Sequence, residues 1–223
     1  MCGIFEMQPF TRIVGPAAPL LRRDIDTDVI IRIERLTELP RAALGPYALE
    51  TLRGPDFILD QPAFRGAPIL LAGANFGCGS SREAAVWALA GAGLRCIIAP
   101  SFGDIFFSNC FQNAMLPVVL PEQTVTLLAE QAKDGAAVAV DLQANCVIAP
   151  DGTSFRFTLD PIRREMLLEG TDELGLTLRC ADEITDWQRT DARCRPWVIL
   201  KLDERNHDIG SVEKHNHPHL AEE

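Results

Sequence analysis

The sequence predicts a single α/β domain with a parallel or mixed central sheet and flanking helices, in a β/β/α arrangement. Three observations carry this. Residues 68–120 read strand, helix, strand, helix, strand, and strands joined by helical crossovers run parallel. Two of those strands, in PILLAG (68–73) and LRCIIAP (94–100), are continuous apolar runs rather than alternating ones, the pattern of strands covered on both faces. Short strand patterns near 136–141, 145–149 and 153–158 then add an antiparallel or mixed section.

Taken in order, residues 4–14 read as a first strand, and 29–33, apolar and β-branched, as another. Residues 34–62 carry Pro40, Gly45, Pro46, Gly54, Pro55 and Pro62 with weak periodicity. They predict a long connection with short helical pieces, and long connections inside compact domains tend to carry function. After PILLAG, SSREAAVWALAGAG places Ala85, Leu89 and Ala92 on one helical face and stops at Gly93. Ser101 is positioned to cap a helix in SFGDIFFSNCFQNA, LPVVL (116–120) is the third strand, and residues 122–133 form the next helix. DPIRREMLLEG (160–170) predicts a helix closed by Gly170. Residues 186–223 turn polar, so a domain over 1–185 followed by a polar C-terminal extension is expected.

Twenty-one Lys+Arg against 31 Asp+Glu give a formal charge of -10, which argues against a nucleic-acid partner. One arginine can still hold a small carboxylate whatever the net charge. No apolar run approaches the roughly 18 residues needed to span a bilayer, and the N-terminus lacks a secretory pattern. The seven cysteines are scattered without a C-x-x-C pair. That spacing suits free thiols in a cytoplasmic protein better than disulfides or structural zinc.

The densest chemistry lies in ANFGCGSSRE (74–83). It is not a P-loop, since no Lys precedes the serines, and its glycines miss the G-x-G-x-x-G spacing. A strand, a glycine turn and Ser-Ser-Arg at a helix start remain. Glycines allow the backbone to approach a ligand, helix N-terminal amides favour anions, and Arg82 adds a forked donor for carboxylate. Capping by Ser80 or Ser81 is the structural alternative. Cys78 has no histidine to activate it, because all four histidines follow residue 206. A serine acting as a base needs help in acidifying its substrate; a metal would give it, and since the sequence offers no convincing metal site, a metal held by a partner is the expectation. Two further patterns invite chemistry. Cys2 in MCGIF could be an N-terminal nucleophile, although the downstream signals of such amidotransferases are absent. His215, His217 and His219 alternate as metal ligands can, but sit in an unframed polar tail with Pro218.

NFGCGSSRE (75–83), IIAPSFGDIF (97–106) and DIDTDVII (24–31) together resemble the small-subunit family of 3-isopropylmalate dehydratases. RFTLDPIRREMLLEGTDELGLTL (156–178) is similar to that family's C-terminal segment, so the resemblance spans roughly residues 5–180. It implies the swivelling β/β/α fold of aconitase domain 4. It also implies a heterodimer in which a large subunit, not this chain, holds a [4Fe–4S] cluster and this chain closes over a small dicarboxylate. By the same resemblance Ser80 is the general base, Ser81 and Arg82 bind substrate, and Asp28 is an acid that orders the pocket. Glu83 is a helix-start or supporting residue. The implied reaction is the isomerisation of 2- and 3-isopropylmalate in leucine biosynthesis. Residues 33–54 match no known specificity loop, so homoaconitate, dimethylmalate and methylmalate or citraconate stay open as substrates. Arg32, Arg35 and Arg41 are the candidates for a second carboxylate contact. A stand-alone anion-binding domain is the reading from another class.

Overall fold

Apolar runs bounded by turn residues become a seven-stranded mixed sheet in a computed structural model that describes residues 7–79 and 81–198. The expectations for Cys2, Ser80 and the tail histidines lie outside the described residues. The strands are β1 (Arg12–Leu20), β2 (Ile69–Ala72), β3 (Cys96–Ala99), β4 (Leu116–Val119), β5 (Ala137–Asp141), β6 (Cys146–Ile148) and β7 (Ser154–Arg156), in the spatial order β4-β3-β2-β1-β5-β6-β7. β1 to β4 pair in parallel and β5 to β7 continue antiparallel from the other side of β1. The helices are α1 (Thr27–Ile30), α2 (Ile33–Glu38), α3 (Glu83–Gly91), α4 (Asp104–Gln112), α5 (Glu122–Ala132), α6 (Pro161–Glu169), α7 (Glu173–Leu178) and α8 (Ala181–Cys194).

The inner parallel strands β2 and β3 are unbroken apolar runs because both faces are covered. Leu70, Ala72, Ile97 and Ala99 face a core shared with α3 and residues 44–67, while Ile69, Leu71, Cys96 and Ile98 face one shared with α5 and α6. Successive side chains alternate between the faces, so every residue of β2 and β3 is buried.

Two sequence expectations are corrected here. The first strand lies at residues 12–20, not 4–14, and runs through Pro16 and Pro19. Its first half pairs only with β5 and its second half only with β2. Each half is therefore bonded along one edge, which leaves room for residues without an N–H. Residues 29–33 are not a strand. Asp26 accepts from the Val29 N–H at 2.7 Å and caps α1, a local bond that outweighs the strand propensity of Val-Ile-Ile.

The connection between β1 and β2 does consist of short helical pieces, α1, α2 and four 3₁₀ turns. It is pressed against α3 where a Cβ on Gly45 would lie 2.3 Å from the backbone of Gly91. α6 ends at Gly170, in the left-handed conformation expected there.

By contacts the chain divides into Met1–Leu178 and Arg179–Glu223. The second unit contains α8, without a buried residue, and a 3₁₀ turn at Pro196–Val198. Residue 185, the expected domain boundary, falls inside α8. Among the described residues no helix is long and apolar enough to cross a membrane.

Gly45→Ala is expected to cost about 1–3 kcal/mol by overpacking. Gly54→Ala, where an added Cβ meets nothing within 4 Å, should stay within about 0.5 kcal/mol of the parent. Thermal denaturation of the two variants checks this.

Candidate active site

The carboxyl ends of parallel strands are where open α/β sheets place their ligands. Here three loops meet at that edge: residues 21–26 after β1, 73–82 after β2 and 100–103 after β3. Main-chain hydrogen bonds tie them together. Asp24 N–H donates to the Ala74 carbonyl at 3.0 Å, Gly77 N–H to Ile25 at 2.7 Å, and Thr27 N–H to Cys78 at 3.0 Å. On the other side Phe76 N–H donates to the Ser101 carbonyl at 3.1 Å and Gly103 N–H to Phe76 at 2.9 Å. The sequence needs its small residues for this seam. Gly77 has φ +72°, and a Cβ there would sit 2.2 Å from the Phe106 ring.

Beneath the rim Phe76 packs edge-on against Phe106 with ring centres 5.5 Å apart, and Phe102 stacks on Phe106 at 6.4 Å. This apolar floor fixes the loop backbone from below. Asp24 and Asn75, both at positive φ, lock the bend between them through an Asn75 Nδ2 to Asp24 Oδ1 bond of 2.8 Å. Asn and Asp are the residues that tolerate this conformation with little strain.

Arg82 precedes α3 in extended conformation and pairs through Nη1 with Asp28 Oδ1 on α1. The two residues are 54 apart in sequence, and the seam between their loops is what brings them together. The guanidinium is largely covered while the carboxylate is 58 % exposed. Asp28 therefore orients Arg82 more than it shields it. The fork's remaining donors suit a carboxylate bound side-on. Ser81 is exposed beside this pair. Among the expected site residues the fold thus gathers Asp28, Ser81 and Arg82, while Ser80 lies outside the described residues.

Glu83 stands in the first turn of α3 and accepts from Asn113 Nδ2 at 2.8 Å, a supporting position. Ser101 does not cap α4. The residue before that helix is Gly103, and the Ser101 hydroxyl instead accepts from Asn75 N–H at 2.8 Å. Asn75 and Asn113 were not singled out from the sequence, and Ser101 was singled out only as a cap. Only Asn75 carries a signal, an Asn in a glycine-rich turn.

The arginines of the long connection are engaged locally. Arg32 bonds Glu34 at 3.1 Å, and Arg35 bonds Glu50 at 3.0 Å while stacking over Tyr47 at 4.2 Å. Arg41 donates to Asn113 Oδ1 at 2.7 Å and lies 4.6 Å over the Trp87 ring.

Among the described residues the cysteines do not converge on a metal centre. Burial pushes the thiols of Cys96 and Cys110 far up, and a thiol held protonated is a poor ligand. Among the described residues no three His, Cys, Asp or Glu side chains converge, so these residues do not fit a [4Fe–4S] cluster. Cys78 is raised too, by partial burial first and then by the carboxylates of Asp26 and Asp24. Those effects oppose a thiolate nucleophile.

The fold and this rim define a domain of the aconitase C-terminal type. The family described as "Aconitase C-terminal domain" matches residues 7–123, and one described as LeuD_N matches residues 126–161. Curated relatives named 3-isopropylmalate dehydratase small subunit include one from Cereibacter sphaeroides, 47% identical over 86% of this chain and 100% of its own length. Another, from Rhodospirillum rubrum, is 46% identical over 87% and 98%. A crystal structure of 3-isopropylmalate dehydratase (leuD) from Methanocaldococcus jannaschii superposes with a TM-score of 0.63 at 26% identity, over 78% of this chain and 99% of that one. This chain belongs to the family of 3-isopropylmalate dehydratase small subunits.

The raised pKa of Cys78 has a sign that can be checked. Below its folded pKa the thiol is protonated, so alkylation at pH 8 should be slower than at the exposed Cys180 and Cys194. Its rate should keep rising with pH beyond the ordinary thiol range. Peptide mapping by mass spectrometry after timed alkylation at several pH values reads this out.

Proposed function

We propose that this chain is the small subunit of a heterodimeric hydro-lyase that isomerises 2- and 3-isopropylmalate by removing and re-adding water, a cytoplasmic step of leucine biosynthesis. Residues 1–185 act as the swivelling domain and 186–223 are a polar C-terminal extension. The observation that carries this reading is the Arg82–Asp28 pair on a rim at the carboxyl ends of the parallel strands, next to Ser81. The name of the relatives, small subunit, supports a partner chain. The rim carries Arg22, Arg23 and Arg82 beside Asp24, Asp26 and Asp28, with Arg23 paired to Glu122 at 3.3 Å and Arg82 to Asp28.

Each residue then has a task. Arg82, oriented by Asp28, takes one substrate carboxylate through its fork. Ser81 hydrogen-bonds the same acid. The Ser80 alkoxide takes the proton from the carbon next to a carboxylate as the substrate hydroxyl departs, and the resulting serine hydroxyl returns it as that hydroxyl re-adds in rehydration, so no net proton is consumed. A [4Fe–4S] cluster held by the partner, not by residues of this chain, would supply Lewis acidity toward the substrate hydroxyl. Holding the acid by a fixed fork keeps the acidic C–H facing the serine, and such fixed geometry is itself a large part of the barrier reduction.

Co-expression with a cluster-bearing large subunit, followed by the absorbance of the unsaturated diacid, tests the proposal. Ser80→Ala should lose about 10²–10⁴ in turnover with assembly intact, and undiminished activity overturns the role given to Ser80. Arg82→Lys should lose about 10²–10³, because an ammonium cannot reproduce the fork. Profiling isopropylmalate against homoaconitate, dimethylmalate and methylmalate decides the substrate. Tight dicarboxylate binding by the lone chain would favour a stand-alone anion-binding domain.

A further inference from the structure

The start of α3 is fixed from a side the reaction does not use. Asn113, half-buried at the C-terminal end of α4, makes three side-chain hydrogen bonds. Its Nδ2 donates to Glu83 Oε1 at 2.8 Å and to the Asn109 carbonyl at 2.9 Å, while its Oδ1 accepts from Arg41 Nη2 at 2.7 Å. An amide is what this junction requires. One neighbour is a cation that only donates, and the other two are a carboxylate and a carbonyl that only accept. Asn113 thus joins α4, the first turn of α3 and the 3₁₀ turn Arg41–Ala43 of the long connection. Arg41 is held from its other side by the Trp87 ring, itself on α3.

The consequence reaches the site through one peptide unit. Glu83 follows Arg82 directly, and Arg82 has no side-chain cap bond at the head of α3. Packing of the helix sets its axis, but rotation of the first turn is restrained by the Asn113–Glu83 bond, and that rotation decides where the Arg82 side chain leaves the backbone.

We propose that Asn113 is a positioning residue: it locks the first turn of α3 against α4 and the Arg41 turn, and thereby holds Arg82 in register with Asp28. The proposal rests on the role given to Arg82 above.

Asn113→Asp removes the donor and sets a carboxylate against Glu83, while keeping an acceptor for Arg41. In the assembled enzyme it should lower kcat/KM about tenfold, as a misplaced binding group does. Adding Glu83→Gln returns a donor to the junction and should restore activity to within about threefold. The same Asn113→Asp change in an Arg82→Ala background should have no further effect, because the residue it positions is gone. An equal loss in that background overturns the proposal. Hydrogen exchange of the amides of residues 81–85 in the full chain gives a readout independent of turnover. Asn113→Asp should speed it, and the Glu83→Gln addition should slow it again; unchanged exchange also overturns the proposal. If the wild-type complex has no dehydratase activity, the functional reading fails while the exchange measurement still decides the role of Asn113.

Discussion

The backbone of residues 74–78 exchanges hydrogen bonds with the loop before it in the sheet and with the loop after it. Peptide groups cannot be altered by side-chain substitution, so the seam holds as long as the backbone can follow its path. That path is demanding: positive φ at Asn75, Gly77 and Gly79 within five residues, with an aromatic floor directly beneath. Asp28 and Arg82 project from the two sides of this seam, and their pairing is a consequence of it rather than its cause. A pair of which one partner is mostly exposed contributes little to stability, which suits a group kept for binding.

The same economy explains the cysteines and the prolines. Cys96 and Cys110 behave as small apolar residues in covered positions, and their thiols are held neutral by burial. Pro16 and Pro19 sit in the middle strand of a seven-stranded sheet, where proline is normally unwelcome. They are accommodated because β1 changes partner halfway, from antiparallel β5 to parallel β2. The switch also divides the sheet into a parallel half, whose carboxyl ends form the rim, and an antiparallel half, with the core beneath α5 and α6 shared by both.

How much of this was legible in the sequence varies with how local the cause is. β2, β3 and β4 are plain in the sequence because covering both faces demands unbroken apolar runs. The helix over 83–91 and its stop near Gly93 follow from alanine spacing and a left-handed glycine, φ +98°. Val-Ile-Ile at 29–31 misleads, since the decisive event is a single capping bond from Asp26. The shift of β1 was hidden by Gly15 and Pro16, which read as a break when the partner switch is unknown. At the site, the residue types of GCGSSRE point to an anion. Family resemblance put Arg82 and Asp28 in one site, but their pairing is a finding of the structure, because nothing local to either residue announces a contact 54 positions away. Asn113 carried no signal at all; an asparagine at a helix end is ordinary, and only the three-way junction around it makes it particular.

The rim's mutual stitching has a kinetic meaning. Loops that order on contact must be caught in the right conformation, and association slows by the fraction of time they spend there. Loops already bonded to one another present a single surface before any partner arrives. For the proposed heterodimer, this chain's side of the encounter is then already formed, and association is expected in the ordinary orientation-limited range of about 10⁵–10⁷ M⁻¹s⁻¹. Differences between related assemblies would lie in how long the two halves stay together.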